Sequence, residues 1–326
     1  MKSIISNSLL SLFTVLLCFL LGETLIRVVY HYAPNYDFEM WRYASDLKEP
    51  LPFTELPFHH YPNKAGKYYG TELRTNSLGL RDNEYAFHKP KGRTRIVILG
   101  DSFALGWGVP FTSTLSKQLE RRLNKSTSVF EVINMGVGNY NSSMEVALFK
   151  RIGLSLQPNI VVLLYFVNDM EPTPRLSSLR YNLFSRFYLP GFIVEHIGRL
   201  FSVHDNELTR YYRDIYDPAS PALAQNTRAI RELAGMCSER GIKLLIVNVP
   251  DLRQLQEYPF MFATGHIRKL ALDSRVPFLD LLPVFARQKE ESLWVNAEDP
   301  HMNALANTLA ADALFTFMAN DHYNIR

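Results

Sequence analysis

The chain has 326 residues, enough for one sizeable α/β domain with an appendage. Its 47% hydrophobic and 21% charged residues exclude a disordered chain, and a net charge of +3 with no long basic run argues against a nucleic-acid partner. The two cysteines, Cys18 and Cys237, lie in unlike segments far apart and predict no disulfide. Nine scattered histidines without HExxH or CxxC spacing predict neither a metal nor another cofactor, and the adjacent His59 and His60 read as surface residues.

The first element is apolar. From Ser3 to Gly22 no residue is charged, and twenty helical residues span about 30 Å, the hydrocarbon thickness of a bilayer. A cleaved signal peptide is the other reading, but no small-x-small site follows the run, and Leu17 before Cys18 does not suit a lipoprotein signal. The expectation is an uncleaved single-pass anchor over residues 1–29. Lys2 and the amino terminus are the only charges ahead of the run, so the positive-inside tendency leaves the rest of the chain outside the cytoplasm, in the periplasm or at the cell surface. Arg27 on the far side counts against that orientation, whereas Tyr30 and Tyr32 suit the interface.

Residues 30–92 are rich in Tyr, Phe, His and Pro and carry no long helical period; they read as an irregular extension packed on the main domain, with a turn at Asn76–Asp82. The main domain is expected over 93–326. Arg95–Leu99 is an apolar, β-branched run ending at Gly100, as a buried parallel strand should be. Leu115, Leu119 and Leu123 recur every four residues and predict a helix. Phe130–Met135 reads as a second strand, Ser142 with Glu145 as a capping box opening a helix, and Asn159–Phe166 as a third strand. An insertion follows at about 170–220. Its Phe184, Phe187, Tyr188, Leu189 and Phe192, with Arg175, Arg180 and Arg186 interleaved, fit a lid, a sugar platform, a membrane-surface contact or a helical cover completing the core. Ile230, Leu233, Ala234 and Cys237 mark a helix face stopped by Gly241, Ile242–Val249 and Val276–Leu282 read as strands, and Asn303–Phe317 as a closing helix. Such alternation predicts a parallel sheet with helices on both faces and function at the carboxyl ends of its strands.

Those ends carry chemistry. Gly100-Asp101-Ser102-Phe103 follows the first strand, Asn134-Met135-Gly136-Val137-Gly138-Asn139 the second and Val167-Asn168-Asp169 the third, while Glu298-Asp299-Pro300-His301-Met302-Asn303 precedes the last helix. Together they offer a hydroxyl, backbone amides, a carboxamide and an imidazole beside carboxylates, the groups that acyl transfer requires. Trp107, just past the hydroxyl, either lines the cleft or packs beneath it.

Ile-Leu-Gly-Asp-Ser-Phe at 98–103 and Asp-Pro-His-Met-Asn at 299–303 resemble the first and last blocks of the SGNH/GDSL hydrolase superfamily, with the other blocks between them in order. Thr75-Asn76-Ser77-Leu78-Gly79-Leu80-Arg81 resembles a stretch preceding the nucleophile in bacterial, envelope-associated members. The resemblance covers about residues 70–320. It implies a three-layer, flavodoxin-like sandwich with a five-stranded parallel sheet. It also implies Ser102 as nucleophile, His301 as its base, and Ser102 N–H, Asn139 N–H and the Asn168 side chain as oxyanion donors. Asp299 is the favoured acid, and Glu298, three residues before the histidine, is the alternative. Two departures stand out: Asn139 occupies the usual glycine of the second block and needs a φ that asparagine tolerates, and Phe166 replaces a glycine in the third.

The implied activity is an ester hydrolase or O-acyltransferase acting outside the cytoplasm on acyl, notably acetyl, esters of envelope or exported polysaccharide; a lipid-directed esterase or thioesterase is a variant. A carbohydrate-binding or assembly module without catalysis is the rival reading. Asn139 and Phe166 favour it, and the joint presence of Ser102, Asn168 and His301 opposes it. A nucleotide-binding fold is disfavoured because no GxGxxG or P-loop pattern follows a strand. The expected partners are the membrane, through the N-terminal helix, and an acylated carbohydrate or other ester substrate.

Overall fold

The computed structural model describes residues 2–32, 36–53, 55–126, 128–174, 187–193, 205–320 and 323. Phe184, Arg175, Arg180 and Arg186 of the insertion lie outside the described residues. The chain divides into two compact units, Met1–Lys48 with Leu176–Ser202, and Glu49–Arg175 with Val203–Arg326.

In the first unit, α1 (Lys2–Tyr32) is a continuous helix, and Ile5–Tyr30 is long and apolar enough to cross a membrane. Leu9, Leu12, Phe13 and Val15 stand exposed along it. A second helix, α2 (Tyr36–Leu47), corrects the expectation of irregular chain after residue 33. Glu39, Tyr43 and Leu47 are buried at four-residue intervals, but that stripe is written with a carboxylate and a tyrosine, so an aliphatic period is invisible. Glu39 is neutralised within its own helix by Arg42 at 2.6 Å.

In the second unit, short strands β1 (Lys48–Pro50), β2 (Phe58–His60), β3 (Ala65–Tyr68) and β4 (Thr71–Arg74) lead into the main sheet. His59 and His60 are buried here, against the expectation of surface histidines: His59 Nε2 meets Leu78 O and His60 Nδ1 meets Gly79 O, each at 3.0 Å. They tie down the Asn76–Asp82 turn, and burial lowers His59 to about 4, so its ring is neutral at physiological pH.

The main sheet consists of β5 (Thr94–Leu99), β6 (Phe130–Asn134), β7 (Ile160–Tyr165), β8 (Lys243–Asn248) and β9 (Phe278–Asp280), in the order β6-β5-β7-β8-β9. Every adjacent pair is parallel. This is the flavodoxin-like order, in keeping with the fold that the resemblance implies. The strands are apolar on both faces because helices cover both. Ile96, Ile98, Val162, Leu164 and Val247 point to a core shared with α4 (Leu115–Leu123) and α10 (Ala304–Asn320). The opposite face is covered by α5 (Ser142–Arg151) and α7 (Pro221–Glu239). The remaining α-helices described in the second unit, in chain order, are α3 (Ser102–Leu105), α6 (Asp205–Ile215), α8 (Met261–Asp273) and α9 (Leu282–Phe285). Beside the sheet, β10 (Trp294–Asn296) and β11 (Asp299–Met302) form an antiparallel pair.

The helix α5 starts differently from the predicted capping box. Asn141 is its cap, accepting from Met144 N–H at 3.0 Å, and Glu145 turns inward to 1% exposure. There it lies near the equally buried Asp169, its two oxygens have no hydrogen-bond partner, and no cation forms an ion pair with either carboxyl among the described residues. Burial raises both carboxyls well above their ordinary range, and a neighbouring carboxylate pushes each the same way. A raised folded-state pKa gives stability that is present at low pH and lost as pH rises. Glu145→Gln, which keeps a neutral donor facing Asp169, is therefore expected to lose less stability than wild type between about pH 5 and about pH 9, checked by urea unfolding at both. A larger loss in the variant would contradict this.

Candidate active site

The carboxyl ends of β5 and β7, the loop after β6 and strand β11 converge on one place. Gly100 leaves β5 so close to its neighbours that a Cβ would meet Ala104 Cβ at 2.7 Å and Leu164 Cβ at 3.1 Å. Only glycine allows this sharp passage from strand to helix. Asp101 caps α3, its Oδ1 accepting from Phe103 N–H at 2.9 Å, and Ser102 takes the first helical position at 5% exposure. On the other flank of this turn, the loop after β6 packs flush against α3: a Cβ on Gly136 would lie 2.2 Å from Leu105 N.

Ser102 Oγ is 2.8 Å from His301 Nε2, and His301 Nδ1 is 2.6 Å from Asp299 Oδ1. Both come from β11, where the His301 backbone N–H also donates to Asp299 Oδ1 at 3.0 Å, so a local turn aligns carboxylate and ring. The second Asp299 oxygen accepts the Trp107 indole N–H at 3.0 Å, and Asp299 is fully buried. Glu298, the alternative acid, has an exposed side chain. With the Nδ1 proton held by Asp299, Nε2 presents its lone pair to the Ser102 hydroxyl. The Phe103 ring lies 4.9 Å from the imidazole and walls it on one side. This order of groups, hydroxyl to imidazole to buried carboxylate, can carry a proton away from an attacking oxygen and return it to a leaving one.

Residues 98–309 match the model of the GDSL-like lipase/acylhydrolase family. The chain belongs to this family. It is an SGNH/GDSL-type enzyme acting on ester bonds. Solved structures of similar shape include TesA (15% identity, TM-score 0.47, covering 70% of this chain and 99% of that one). Others are the acetyl xylan esterase AlAXEase (17%, 0.44, 68% and 98%) and the psychrotrophic esterase EstA from Pseudoalteromonas sp. (15%, 0.46, 71% and 100%). No curated protein matches the chain.

Of the expected oxyanion groups, Asn168 reaches the turn that carries Ser102, and Asn139 lies in the loop after β6. Asn139 has φ +63°, the left-handed conformation that asparagine enters more readily than most residues, which explains how it replaces a glycine. Asn168 follows β7 in the short 3-10 turn Val167–Met170, and its Nδ2 donates to Asp101 Oδ2 at 3.0 Å. One amide hydrogen is thereby fixed and the second is left for a ligand. Burial pushes the Asp101 carboxyl up, opposed by the N–H of Phe103 and the amide of Asn168. Phe166, at the other departure, packs its ring 4.5 Å from Phe103.

Two contributors escape sequence reasoning. Trp107 neither lines nor merely underlies the cleft, because its indole N–H is the donor to the second oxygen of Asp299. Trp107→Phe keeps most of the ring volume and removes that donor. It is expected to lower kcat by about 10- to 100-fold with KM nearly unchanged, checked by steady-state kinetics on an activated acetyl ester. An unchanged kcat would deny the indole a part in orienting the carboxylate. Arg81 is the second. It is 2% exposed and donates to Leu105 O at 3.0 Å, Gly106 O at 2.6 Å, Val109 O at 2.8 Å and Glu72 O at 3.1 Å. A cation thus gathers the carbonyls at and beyond the end of α3. The signal was the Thr75–Arg81 stretch, whose resemblance carried no stated role.

Proposed function

We propose that Ser102 is the nucleophile, His301 its general base and Asp299 the orienting acid of an ester hydrolase or O-acyltransferase held outside the cytoplasm by α1. The single observation that supports this most is the unbroken relay Ser102–His301–Asp299, with contacts of 2.8 and 2.6 Å. The Ser102 oxygen attacks the ester carbonyl carbon as its proton passes to His301 Nε2. The resulting oxyanion takes hydrogen bonds from Ser102 N–H, Asn139 N–H and the free Asn168 amide hydrogen. His301 then returns the proton to the departing alcohol oxygen, leaving an acyl-Ser102. Water, or a sugar hydroxyl in the transferase case, gives its proton to His301 and takes the acyl group, restoring the serine. Asp299 stays ionised and stabilises the imidazolium in both halves.

The substrate class is an acyl, notably acetyl, ester of an envelope or exported polysaccharide. The apolar helix Ile5–Tyr30 favours this setting, since a tethered enzyme meets the carbohydrate esters at the membrane surface. Incubating the full chain in detergent with an acetylated polysaccharide tests it, following free acetate and, with an added unacetylated oligosaccharide, acetyl transfer. Acetate release or transfer that vanishes in Ser102→Ala is expected. Activity on simple esters with neither release nor transfer on carbohydrate would refute the substrate class and leave the serine mechanism intact.

A further inference from the structure

We propose that residues 187–193 form a second lipid-contacting element, docked on the outer end of α1 at the boundary between acyl chains and headgroups. This rests on the reading of α1 as a membrane anchor.

The uncharged run Ser3–Gly22 fills about 30 Å of helix, so Phe19 and Gly22 belong to the last turns within the apolar layer and Glu23 and Arg27 to the headgroup layer. The segment meets α1 at that level. The Phe187 ring lies edge-on to Phe19 at 5.2 Å. Leu189 seats on Gly22, where a Cβ would come within 3.0 Å of Leu189 Cδ2. A residue touching Phe19 sits about 16 Å below Tyr30 along the helix, so Phe187 reaches the depth at which the apolar run ends. Phe187 and Ile193 keep 41% and 46% of their surface open, and Phe187 lies beside the apolar residues that α1 exposes. Lipid is the occupant that covers both.

Glu23 explains how the segment is held. Its side chain is 7% exposed, and its oxygens accept from Tyr188 N–H at 2.9 Å, Leu189 N–H at 2.8 Å and Arg27 Nε at 2.7 Å. The carboxylate therefore caps the short helix of residues 188–193 and satisfies backbone donors that lipid would leave bare. An acid at the edge of the apolar layer is costly unless paired in this way. Above it Tyr30 stacks on Phe38 with ring centres 3.6 Å apart, Tyr188 lies 5.1 Å from Phe38, and the Arg27 guanidinium sits 4.3 Å over the Tyr188 ring. Aromatic rings interleaved with cations are the composition that a headgroup layer takes.

Photolabelling tests the proposal. The full chain is reconstituted in phosphatidylcholine vesicles carrying a phospholipid with a diazirine near the top of one acyl chain, irradiated, and mapped by peptide mass spectrometry. Adducts are expected on α1 and on 187–193. In Glu23→Ala the adducts on 187–193 should be lost while those on α1 persist. Glu23→Gln, which keeps an acceptor oxygen, should retain part of the labelling, and fluorophosphonate capture reports that each variant is folded. Adducts on α1 alone in wild type would overturn the proposal while leaving the anchor intact. No adducts on α1 would sink the anchor reading and the proposal with it. Undiminished labelling of 187–193 in Glu23→Ala would overturn the docking by Glu23.

Discussion

Ser102→Ala is expected to reduce kcat on ester substrates by about 10⁴- to 10⁶-fold while leaving the fold in place. The substitution removes one oxygen from a side chain that is 5% exposed and makes a single short contact, to His301 Nε2. It creates almost no cavity, so urea unfolding should shift by about 1 kcal/mol or less. The residual rate is expected from the proposed oxyanion donors, which polarise a carbonyl without a nucleophile. Both quantities are read from one preparation, with kcat on an activated acetyl ester and the urea midpoint side by side. A variant that keeps its turnover would remove Ser102 from the chemistry.

Asp299→Asn is expected to cost about 10⁴-fold in kcat, and Glu298→Gln no more than a few-fold. The argument is geometric. Asp299 Oδ1 meets both the ring N–H and the backbone N–H of His301, whereas the Glu298 side chain is exposed. An asparagine there can turn its NH₂ toward Nδ1, which selects the tautomer whose proton sits on Nε2 and blocks acceptance from Ser102. In that orientation the NH₂ also opposes the His301 backbone N–H, which donates to Asp299 Oδ1 at 3.0 Å in the native protein. The two variants are compared by steady-state kinetics across the neutral pH range. The reverse ranking would assign the acid to Glu298 and require β11 to move.

The sheet was legible because β5 and β7 spell out their burial as continuous apolar runs, and Gly100 marks where the first one stops. The order of the loops then assigns Ser102, Asn139, Asn168 and His301 to one edge of the sheet. What stayed hidden depends on partners distant in the chain. The Trp107–Asp299 bond joins residues 192 positions apart. Arg81 resembles a surface arginine until four carbonyls surround it. Glu145 sits where a capping residue would, and its inward turn reflects Asp169, which arrives from the end of another strand. His59 and His60 are polar by type and buried by circumstance, each accounted for by one carbonyl of the 76–82 turn. α2 escaped because its buried stripe mixes Glu39 and Tyr43 with Leu47. Local spacing reads faces and caps; it does not read which polar group will find a distant partner.

The central claim, an activated serine at position 102, is tested most directly by a fluorophosphonate probe applied to the full chain in detergent, with wild type, Ser102→Ala and His301→Ala run together. The account predicts covalent labelling of wild type alone, with the adduct on the peptide containing Ser102. Equal labelling of Ser102→Ala, or none of a folded wild type, would contradict it.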